Sequence, residues 1–495
     1  MSGPITIRNL TAQPLTVKLI ERYEAPNAAN FPPHGGFSIS NLTSKATTLL
    51  SNVTSTGSPS QPSPGQLSDK AESFAKQDVD LRMEPFTTYK TDVQTTERGP
   101  NEILRLTFEG EGGQRWRVDT PSPSPASQKL VPLTPEPQHD YTAIYLADAH
   151  FLALFESTNL QCWMKEFKDE TPLSALSMPG THNSPTCHVA LPSVRCQAVP
   201  PKDQLENGVR FLDIRVQPVK PEDPNDDSLN LVHGVFPISL TGPRKFRGML
   251  EDVESFLQAN PSEAIIMSIK REGTGDATDQ QLAMIMKDHY ANSDRWWTQP
   301  RIPTLGEARG KIVLMRRFAL DDRLKGENDG HGWGLNAENW RDNTPDDTYG
   351  DVRVQDFYQV TDTENIDKKI QLCCDHFERA AAVVCPIPGV TTDSTDPVPA
   401  GPLYLNFLSA SNFFNVQTWP DRIAAKLNPA VTAFLCEKHE VGDKGIDGPG
   451  QEFQGDGGVG IVVCDWVGNN GDWDLVRCIV GMNSRILLKE RGSWR

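Results

Sequence analysis

The sequence has no excess of positive charge and no long apolar segment. Its 495 residues include 48 basic and 65 acidic side chains, which gives a net charge of −17 at neutral pH. A chain this acidic is not drawn by long-range electrostatics to nucleic acid or to an anionic bilayer. Apolar runs of about 18 residues, the length that a membrane-spanning helix needs, are also missing. Contact with a membrane is therefore expected to be local and largely apolar.

The usual sequence signals of secretion and of structural zinc are missing as well. The opening residues, MSGPITIRNLTAQPL, have neither the basic start nor the continuous apolar run of a signal peptide. This predicts a cytoplasmic or peripheral membrane location. The nine cysteines form no CxxC pair, so their spacing predicts buried free thiols and no zinc site.

The chain is too long for one compact core, and its hydrophobic pattern changes partway along. Alternation of apolar and polar residues in Ile5–Tyr23 and Tyr141–Ser157 predicts a sandwich-like all-β domain over residues 1–157. A Ser/Thr/Pro-rich insertion near residues 41–70 is expected to be disordered. In residues 158–495, short apolar runs alternate with helical segments, which predicts a parallel sheet or barrel.

Polar, ionisable side chains follow several apolar runs of the second part. Two histidines and an arginine at strand ends indicate phosphoryl chemistry, because a nucleophilic hydroxyl needs a base, the leaving oxygen needs an acid, and the phosphorus centre needs a fixed cation. The runs and their polar residues are LSALSMPGTHNS with His182, GVRFLDIRV with Asp213 and Arg215, and LVHGVF with His233.

With these motifs and the ones that follow, the second part of the chain resembles the bacterial-type phosphatidylinositol-specific phospholipase C family, the X-domain or PLC-like phosphodiesterases. The resemblance runs from about Trp163 to the C-terminus and keeps the family's order. It implies a distorted TIM-type β/α barrel with reactive groups at the C-terminal ends of its strands. It also implies cleavage of a phosphoinositide-type lipid into diacylglycerol and a cyclic inositol phosphate. The later motifs are NPSEAIIMSIKRE, GEARGKIVLMRRF, VRVQDFYQV, PLYLNFLSASN and GIVVCDWV.

Catalytic roles follow from the same resemblance. His182 matches the general base that deprotonates the inositol 2-hydroxyl, and Asp465 matches the carboxylate that fixes the tautomer of that base. His233 matches the general acid that protonates the departing diacylglycerol oxygen. Arg215 matches the cation that neutralises the phosphoryl oxygens, while Asp213 matches a carboxylate that contacts the nucleophilic hydroxyl and orients Arg215.

Asn183 departs from the bacterial pattern, which has an aspartate after the first histidine to support the proton-donating histidine. An asparagine can hold an imidazole by a hydrogen bond but supplies no charge. Calcium-dependent relatives share the His-Asn pair but have an acidic ligand where this chain has Arg215. We therefore expect an enzyme without a cofactor or metal, with calcium disfavoured by the guanidinium of Arg215.

Further binding residues of two kinds are implied by the resemblance. An inositol ring needs hydrogen-bonding groups for its hydroxyls and a flat apolar surface for its face. A lipid surface needs exposed apolar side chains, although such side chains can equally anchor a loop to the core. The head-group residues are Lys270, Arg317 and Asp356 with Tyr358 as the stacking aromatic, and the membrane-contact candidates are Phe413, Phe414 and Trp419.

Two alternative functions stay open. One is a metal-dependent phosphodiesterase of the same fold that acts on glycerophosphodiesters or sphingomyelin, for which acidic ligands would be expected in place of Arg215 and His233. The other is a catalytically weak protein that binds lipid head groups. In every case the expected partner is a phospholipid at a membrane surface, with no nucleic acid and no transmembrane segment.

Overall fold

The computed structural model describes residues 3–25, 67, 70–97, 101–121, 127–360, 364–398, 401–412, 415–439 and 455–493. The chain forms two compact units. One comprises Met1–Asn9 and Gln13–Leu154, and the other comprises Leu10–Ala12 and Phe155–Arg495. Most of the predicted Ser/Thr/Pro-rich insertion near residues 41–70 lies outside the described residues.

The first unit is built from β-strands, among them the two that the sequence predicts on either side of Ala12-Gln13-Pro14. The strands are β1 (Pro4–Asn9), β2 (Leu15–Glu24), β3 (Ala75–Met83), β4 (Thr87–Gln94), β5 (Glu102–Glu109), β6 (Arg115–Thr120), β7 (Ser127–Lys129), β8 (Val131–Pro132), β9 (Tyr141–Leu146) and β10 (Phe151–Glu156). They form two five-stranded sheets in the orders β4-β1-β10-β9-β7 and β3-β2-β5-β6-β8. Alternate side chains of both sheets, such as Ile7 and Leu106, share one apolar core.

Twelve strands form the sheet of the second unit. They are β11 (Met178–Thr181), β12 (Phe211–Pro218), β13 (Leu229–His233), β14 (Phe236–Pro237), β15 (Ile265–Arg271), β16 (Trp296–Trp297), β17 (Ile312–Arg317), β18 (Leu335–Asn336), β19 (Asp347–Tyr349), β20 (Val352–Gln355), β21 (Leu403–Phe407) and β22 (Ile461–Cys464).

The helices of the second unit alternate with these strands. Two of them begin at capping boxes, Thr278 with Gln281 and Thr304 with Glu307, in which each side chain bonds to the other residue's backbone N–H. Among the described residues, no helix is both long enough and apolar enough to cross a bilayer. The helices are α1 (Pro201–Glu206), α2 (Phe246–Ala259), α3 (Asp279–Ile285), α4 (Leu305–Ala308), α5 (Asp322–Lys325), α6 (Glu327–Gly330), α7 (Glu364–Ala381), α8 (Pro420–Glu437), α9 (Asp474–Gly481) and α10 (Ser484–Glu490).

Parallel pairing around the sheet gives a β/α barrel of the distorted TIM type. The order β17-β15-β12-β11-β22-β21-β20 is parallel throughout. The ladder is interrupted between the two ends of this path, where β18 pairs with β17 and β19 pairs with β20. A backbone hydrogen bond from Asp351 N to Asn336 O, 2.8 Å long, links the two ends. The parallel strands therefore form a curled sheet of the predicted β/α type, with an irregular seam between its two ends.

Two apolar clusters lie on opposite faces of this curled sheet. Alternate residues of successive strands, such as Phe211, Val313 and Val463, belong to the interior cluster. Their neighbours in sequence, such as Leu212 and Leu314, pack outward in a second cluster that includes residues of α2 and α3. Successive strand residues face opposite sides of the sheet, which separates the two clusters. Because the strands run parallel, the polar residues that follow them lie at one rim.

Candidate active site

A cavity of about 470 Å³ lies at the carboxyl ends of the parallel strands. Most of the side chains singled out from the sequence line it, because the strands that precede them are neighbours in the sheet. Asn183 and Asp213 are fully buried behind its wall. The predicted residues that line the cavity are His182, Arg215, His233, Lys270, Arg317, Asp356, Tyr358 and Asp465.

His182 and Asp465 form a hydrogen-bonded pair. They follow β11 and β22, whose parallel pairing places Thr181 opposite Cys464, so the next residues of both strands lie side by side. The His182 Nδ1 atom is 2.9 Å from Asp465 Oδ1. Burial alone lowers the pKa of His182, but the Asp465 carboxylate outweighs burial and raises this pKa to about 10. The pair thus fixes the ring through Nδ1, and Nε2 must lose its proton before His182 can act as a base.

Asn183 has a structural task in the turn after β11. Its φ of 43° lies in the left-handed region, which asparagine tolerates better than most residues. The backbone N–H donates to Asp213 Oδ2 at 3.1 Å, and the side-chain Nδ2 lies 3.5 Å from His182 Nε2. Within the described structure, the buried Oδ1 atom of Asn183 has no hydrogen-bond partner. Asn183 therefore sits beside His182, the predicted base.

Two carboxylates hold Arg215 in place. Asp213 and Arg215 share one face of β12, and the guanidinium donates to Asp213 Oδ2 at 3.1 Å from Nη2 and to Glu272 Oε1 at 2.9 Å from Nη1. Burial raises the pKa of Asp213, but Arg215 and then Arg317 reverse this and hold it below its usual range. Burial likewise raises the pKa of Glu272, but Arg215 and then Lys270 reverse this and lower it to about 2. The sequence predicts that Asp213 contacts the nucleophilic hydroxyl and orients Arg215. Because Asp213 has no exposed surface, the geometry accommodates the second role, the orientation of Arg215.

His233 reaches the cavity by a hairpin instead of a barrel strand. It ends β13, which pairs antiparallel with β12, so the expectation that every reactive group ends a parallel strand is wrong at this position. The Nδ1 atom lies 2.9 Å from Val194 O. The rings of His182 and His233 are 5.8 Å apart between centroids and nearly perpendicular. The two imidazoles therefore share one wall of the cavity.

The opposite side of the cavity carries cations and an aromatic ring. Lys270 Nζ lies 3.1 Å from Glu272 Oε1, and burial lowers the pKa of Lys270. The guanidinium carbon of Arg317 lies 3.9 Å from the ring centroid of Trp340, a distance typical of a cation–π contact. One Asp213 oxygen, 3.5 Å away, also faces Arg317.

Asp356 and Tyr358 are fixed on the same side. Asp356 Oδ2 accepts a hydrogen bond from Trp340 Nε1 at 3.1 Å, and Tyr358 Oη donates to Asp342 Oδ1 at 2.9 Å. Both side chains border the cavity. Carboxylate, guanidinium and ammonium groups around two aromatic rings form a surface suited to a ring with several hydroxyls.

Sequence reasoning did not single out several residues that shape the site. Glu272 could have been found, because it lies two positions after Lys270 and alternation places both on one face of the strand. Gln197 donates to the backbone oxygens of His182 and Cys464 at 2.7 and 2.9 Å. Cys196 lies 3.8 Å from His233 Nδ1. Gln197 and Cys196 lie in the loop before α1, where no periodic signal marks them.

The membrane-contact candidates are only partly described. Phe413 and Phe414 lie outside the described residues. Trp419 is half-buried and directly precedes α8. Its neighbour Pro420 borders the cavity.

Comparisons with known proteins were made over the whole chain. The family model "Phosphatidylinositol-specific phospholipase C, X domain" matches residues 170–318. A 1-phosphatidylinositol phosphodiesterase of Listeria monocytogenes is 37% identical over 169 residues, which cover 32% of this chain and 49% of that protein. One of Staphylococcus aureus is 26% identical over 284 residues, which cover 54% of this chain and 81% of that protein. This chain thus spans about half the length of the Listeria relative.

Solved structures with a similar fold include phosphatidylinositol-specific phospholipase C from S. aureus, with a TM-score of 0.49 and 23% identity over 66% of this chain and 97% of that chain. The enzyme of that name from L. monocytogenes has a TM-score of 0.45 and 22% identity over 66% of this chain and 99% of that chain. Residues 170–318, which the family model matches, include His182, Arg215 and His233. This part of the chain is therefore similar to the phosphatidylinositol-specific phospholipase C X domain.

Proposed function

We propose that the second unit cleaves the phosphodiester bond of a phosphatidylinositol-type lipid by general acid/base catalysis. One observation carries the proposal: two imidazoles whose centroids are 5.8 Å apart border the same cavity as the fixed guanidinium of Arg215. The relatives named 1-phosphatidylinositol phosphodiesterase support the choice of lipid.

The first step is attack of the inositol 2-hydroxyl on phosphorus. His182 Nε2 accepts the hydroxyl proton, and Asp465, 2.9 Å from Nδ1, stabilises the imidazolium that forms. A new bond joins the 2-oxygen to phosphorus. No water molecule is needed for this step, because the nucleophile belongs to the substrate.

Departure of the glycerol oxygen completes the cleavage. His233 holds its Nδ1 atom against Val194 O at 2.9 Å, so Nε2 is the nitrogen that donates a proton to the leaving oxygen. The bond between phosphorus and that oxygen breaks, giving diacylglycerol and a cyclic inositol phosphate. Slower hydrolysis of the cyclic product follows with the two histidines in exchanged roles, by microscopic reversibility.

Arg215 supplies the positive charge that the phosphoryl oxygens need as negative charge develops on them. Its hydrogen bonds to Asp213 and Glu272 fix the guanidinium before substrate arrives. Lys270, Arg317 and Asp356 bind the inositol hydroxyls, and Tyr358 stacks on the ring. A lipid surface is the partner, and the protein acts at it from solution or as a peripheral protein.

Residues 1–157 complete the proposal as a sandwich-like β domain that is accessory to the catalytic part, residues 158–495. The shared apolar core of its two sheets supports this assignment. Phe413, Phe414 and Trp419 are proposed to contact the lipid surface beside the cavity.

Histidine variants test the catalytic assignment. Replacement of His182 or His233 by alanine is expected to lower the rate of phosphatidylinositol cleavage by about 10²-fold or more, which is the usual contribution of a general acid or base. His331→Ala, which changes an exposed histidine of the same unit, is the matched control. Rates equal to wild type in both active-site variants would overturn the assignment.

A chelator tests the absence of a catalytic metal. The described part of the chain brings together one group of three side chains able to hold an ion, and this group contains no carboxylate, which disfavours calcium. We expect EDTA to leave cleavage unchanged or to increase it. Loss of activity on chelation, restored by calcium, would favour the metal-dependent alternative.

A further inference from the structure

Cys196 lies beside both histidines, and the sequence spacing gives no hint of it. It is fully buried, and its Sγ atom is 3.8 Å from His233 Nδ1. We propose that His182, Cys196 and His233 bind a zinc ion, and that the bound ion switches the active site off. The binding stands on the geometry alone, whereas the inhibition rests on the proposed function.

The distances suit a small ion with three protein ligands. One ligand atom from each of the three side chains lies within 4.8 Å of the other two. Around tetrahedral zinc, with bonds of about 2.0–2.3 Å, neighbouring ligand atoms are about 3.3–3.7 Å apart. Rotations that close each gap by up to about 1 Å therefore complete the set.

Backbone and carboxylate contacts already orient the ligands. Asp465 on Nδ1 of His182 directs the other ring nitrogen inward, as in the carboxylate–histidine–metal arrangements of many zinc sites. The Cys196 N–H donates to Thr186 Oγ1 at 3.1 Å, and Cys196 O accepts from Trp466 N at 2.9 Å. The thiol is thus held in place on both sides of its residue.

The ligand chemistry selects zinc over the hard cations. A thiolate with two imidazoles prefers Zn²⁺ or other borderline-soft ions, whereas Ca²⁺ and Mg²⁺ require oxygen ligands. Charge around the cavity does not oppose a cation, since its carboxylates outnumber its guanidinium and ammonium groups. The lining carboxylates are Glu272, Glu338, Asp342, Asp356 and Asp465, and the lining cationic groups are Arg215, Lys270 and Arg317.

Zinc in this site would occupy the Nε2 lone pair of His182, because Nδ1 of that ring is bonded to Asp465. His182 could then no longer accept the proton of the 2-hydroxyl. Inhibition is therefore expected to be reversed by chelation and to be independent of calcium.

Cobalt(II) absorption tests the binding without reference to activity. One equivalent of Co²⁺ added to the metal-free full-length chain is expected to give a near-ultraviolet thiolate-to-cobalt band and intense visible bands of a tetrahedral ion, both removed by Zn²⁺. Cys196→Ser should abolish the thiolate band, and Cys187→Ser, which changes a half-buried thiol nearby, should keep it. A thiolate band that is absent in wild type or persists in Cys196→Ser overturns the site.

A second variant controls for the possibility that Cys196→Ser does not fold. His233→Gln leaves the thiol in place and is expected to keep the thiolate band while weakening Co²⁺ binding about tenfold or more. Unchanged cobalt affinity in that variant, with native circular dichroism, would remove His233 from the site and overturn the three-ligand proposal.

The inhibition is measured separately with Zn²⁺ in the phosphatidylinositol cleavage assay. The Zn²⁺ concentration that halves the cleavage rate is expected to be about tenfold higher for Cys196→Ser than for wild type or Cys187→Ser. Equal sensitivity of an active Cys196→Ser protein would overturn the inhibitory role. A chain that binds cobalt as expected but cleaves no phosphatidylinositol would instead contradict the proposed function and leave the zinc site standing.

Discussion

Asp465 sets the protonation of His182 through one buried hydrogen bond of 2.9 Å. Asp465→Asn removes the charge that raises the pKa of His182, and burial then lowers that pKa. A general base must be deprotonated to act, so the acidic limb of kcat/KM against pH should move to lower pH. At the same time kcat should fall by about 10²–10⁴-fold, because the tautomer is no longer fixed. The exposed Asp294→Asn is the control, and an acidic limb at the wild-type pH would contradict the pairing.

The same pair stabilises the fold within a pH window. The pKa of His182 is about 10 in the folded protein, raised from an ordinary value of 6.5, so the stabilisation is complete below pH 6.5 and is lost as pH rises toward 10. Asp465→Asn should lower the free energy of unfolding by about 1.5–3 kcal/mol at pH 6, the range for a hydrogen bond to a charged group. Urea unfolding at pH 6, 8 and 10 checks whether the difference shrinks. A difference that stays constant over this range would show that the charged pair is not its source.

Arg215 is held as a fork between Asp213 and Glu272. Lysine keeps the charge but not the planar set of donors, so Arg215→Lys should lower kcat by about 10²–10³-fold and change KM much less. Steady-state kinetics on phosphatidylinositol give both constants, with the exposed Arg323→Lys as control. A rise in KM at unchanged kcat would assign Arg215 to substrate binding alone.

Which residues could be found from the sequence depends on how local their signal is. His182 and Asp465 each follow an apolar strand and Arg215 lies within one, so the pattern of a few neighbouring residues marks them. Cys196 has no such pattern, and its meaning comes from contact with His233, which is 37 positions away. The contact between the ring of Trp340 and Arg317 also has no local signal in the sequence, because only the folded chain brings those segments together.

At the level of elements, the ends of helices are harder to predict than the helices themselves. In the structure, α8 extends to Glu437 through Pro429. An internal proline removes a backbone hydrogen bond and costs about 3 kcal/mol, so Pro429 by itself favours an earlier end. Burial of Val431, Leu435 and Cys436 along the continued helix offsets that cost.

The hairpin that carries His233 shows a second feature that the sequence pattern does not predict, the direction of a strand. Its run LVHGVF has the apolar character of a barrel strand, but β13 pairs antiparallel with β12. Hydrophobicity alone does not distinguish a parallel from an antiparallel strand. The reversal before β13 lies in residues 219–228, whereas Gly234, with φ of 58°, lies in the turn from β13 to β14.

Gly460 positions β22, and therefore Asp465, by a turn that requires glycine. The segment GDGGVG matches a dinucleotide-binding pattern by letter, but it precedes β22, whereas that pattern follows a strand and opens a helix. Gly460 has φ of +66°, and a Cβ there would lie 2.7 Å from Tyr404 O. Gly460→Ala should therefore cost at least about 2 kcal/mol of unfolding free energy. Gly458→Ala is the matched control, because its Cβ would meet Ser177 Oγ at an ordinary 3.5 Å, and equal stability of the two variants would contradict the argument.

For the whole molecule, alternation of strands and helices predicts a parallel sheet or barrel, and the family resemblance implies the TIM type, but neither indicates the seam. The seam depends on two short strands, β18 and β19, and on the bond between Asp351 and Asn336. Such short segments carry too few residues to show a period. The strands of the first unit were easier to recognise, because strict alternation such as that in β2 is typical of a sheet with one buried face.

The net charge of −17 makes a prediction about how the protein meets a lipid surface. Vesicles that contain phosphatidylinositol are anionic, so the average electrostatic force is repulsive and binding must come from local apolar contacts. Salt screens this repulsion: from about 0.05 M to about 0.5 M the Debye length falls from about 14 Å to about 4 Å. The fraction of protein that sediments with phosphatidylinositol/phosphatidylcholine vesicles should therefore stay constant or increase over this range, and pure phosphatidylcholine vesicles should show no salt effect. A steep decrease of binding with salt on the anionic vesicles would instead indicate a basic lipid-binding patch.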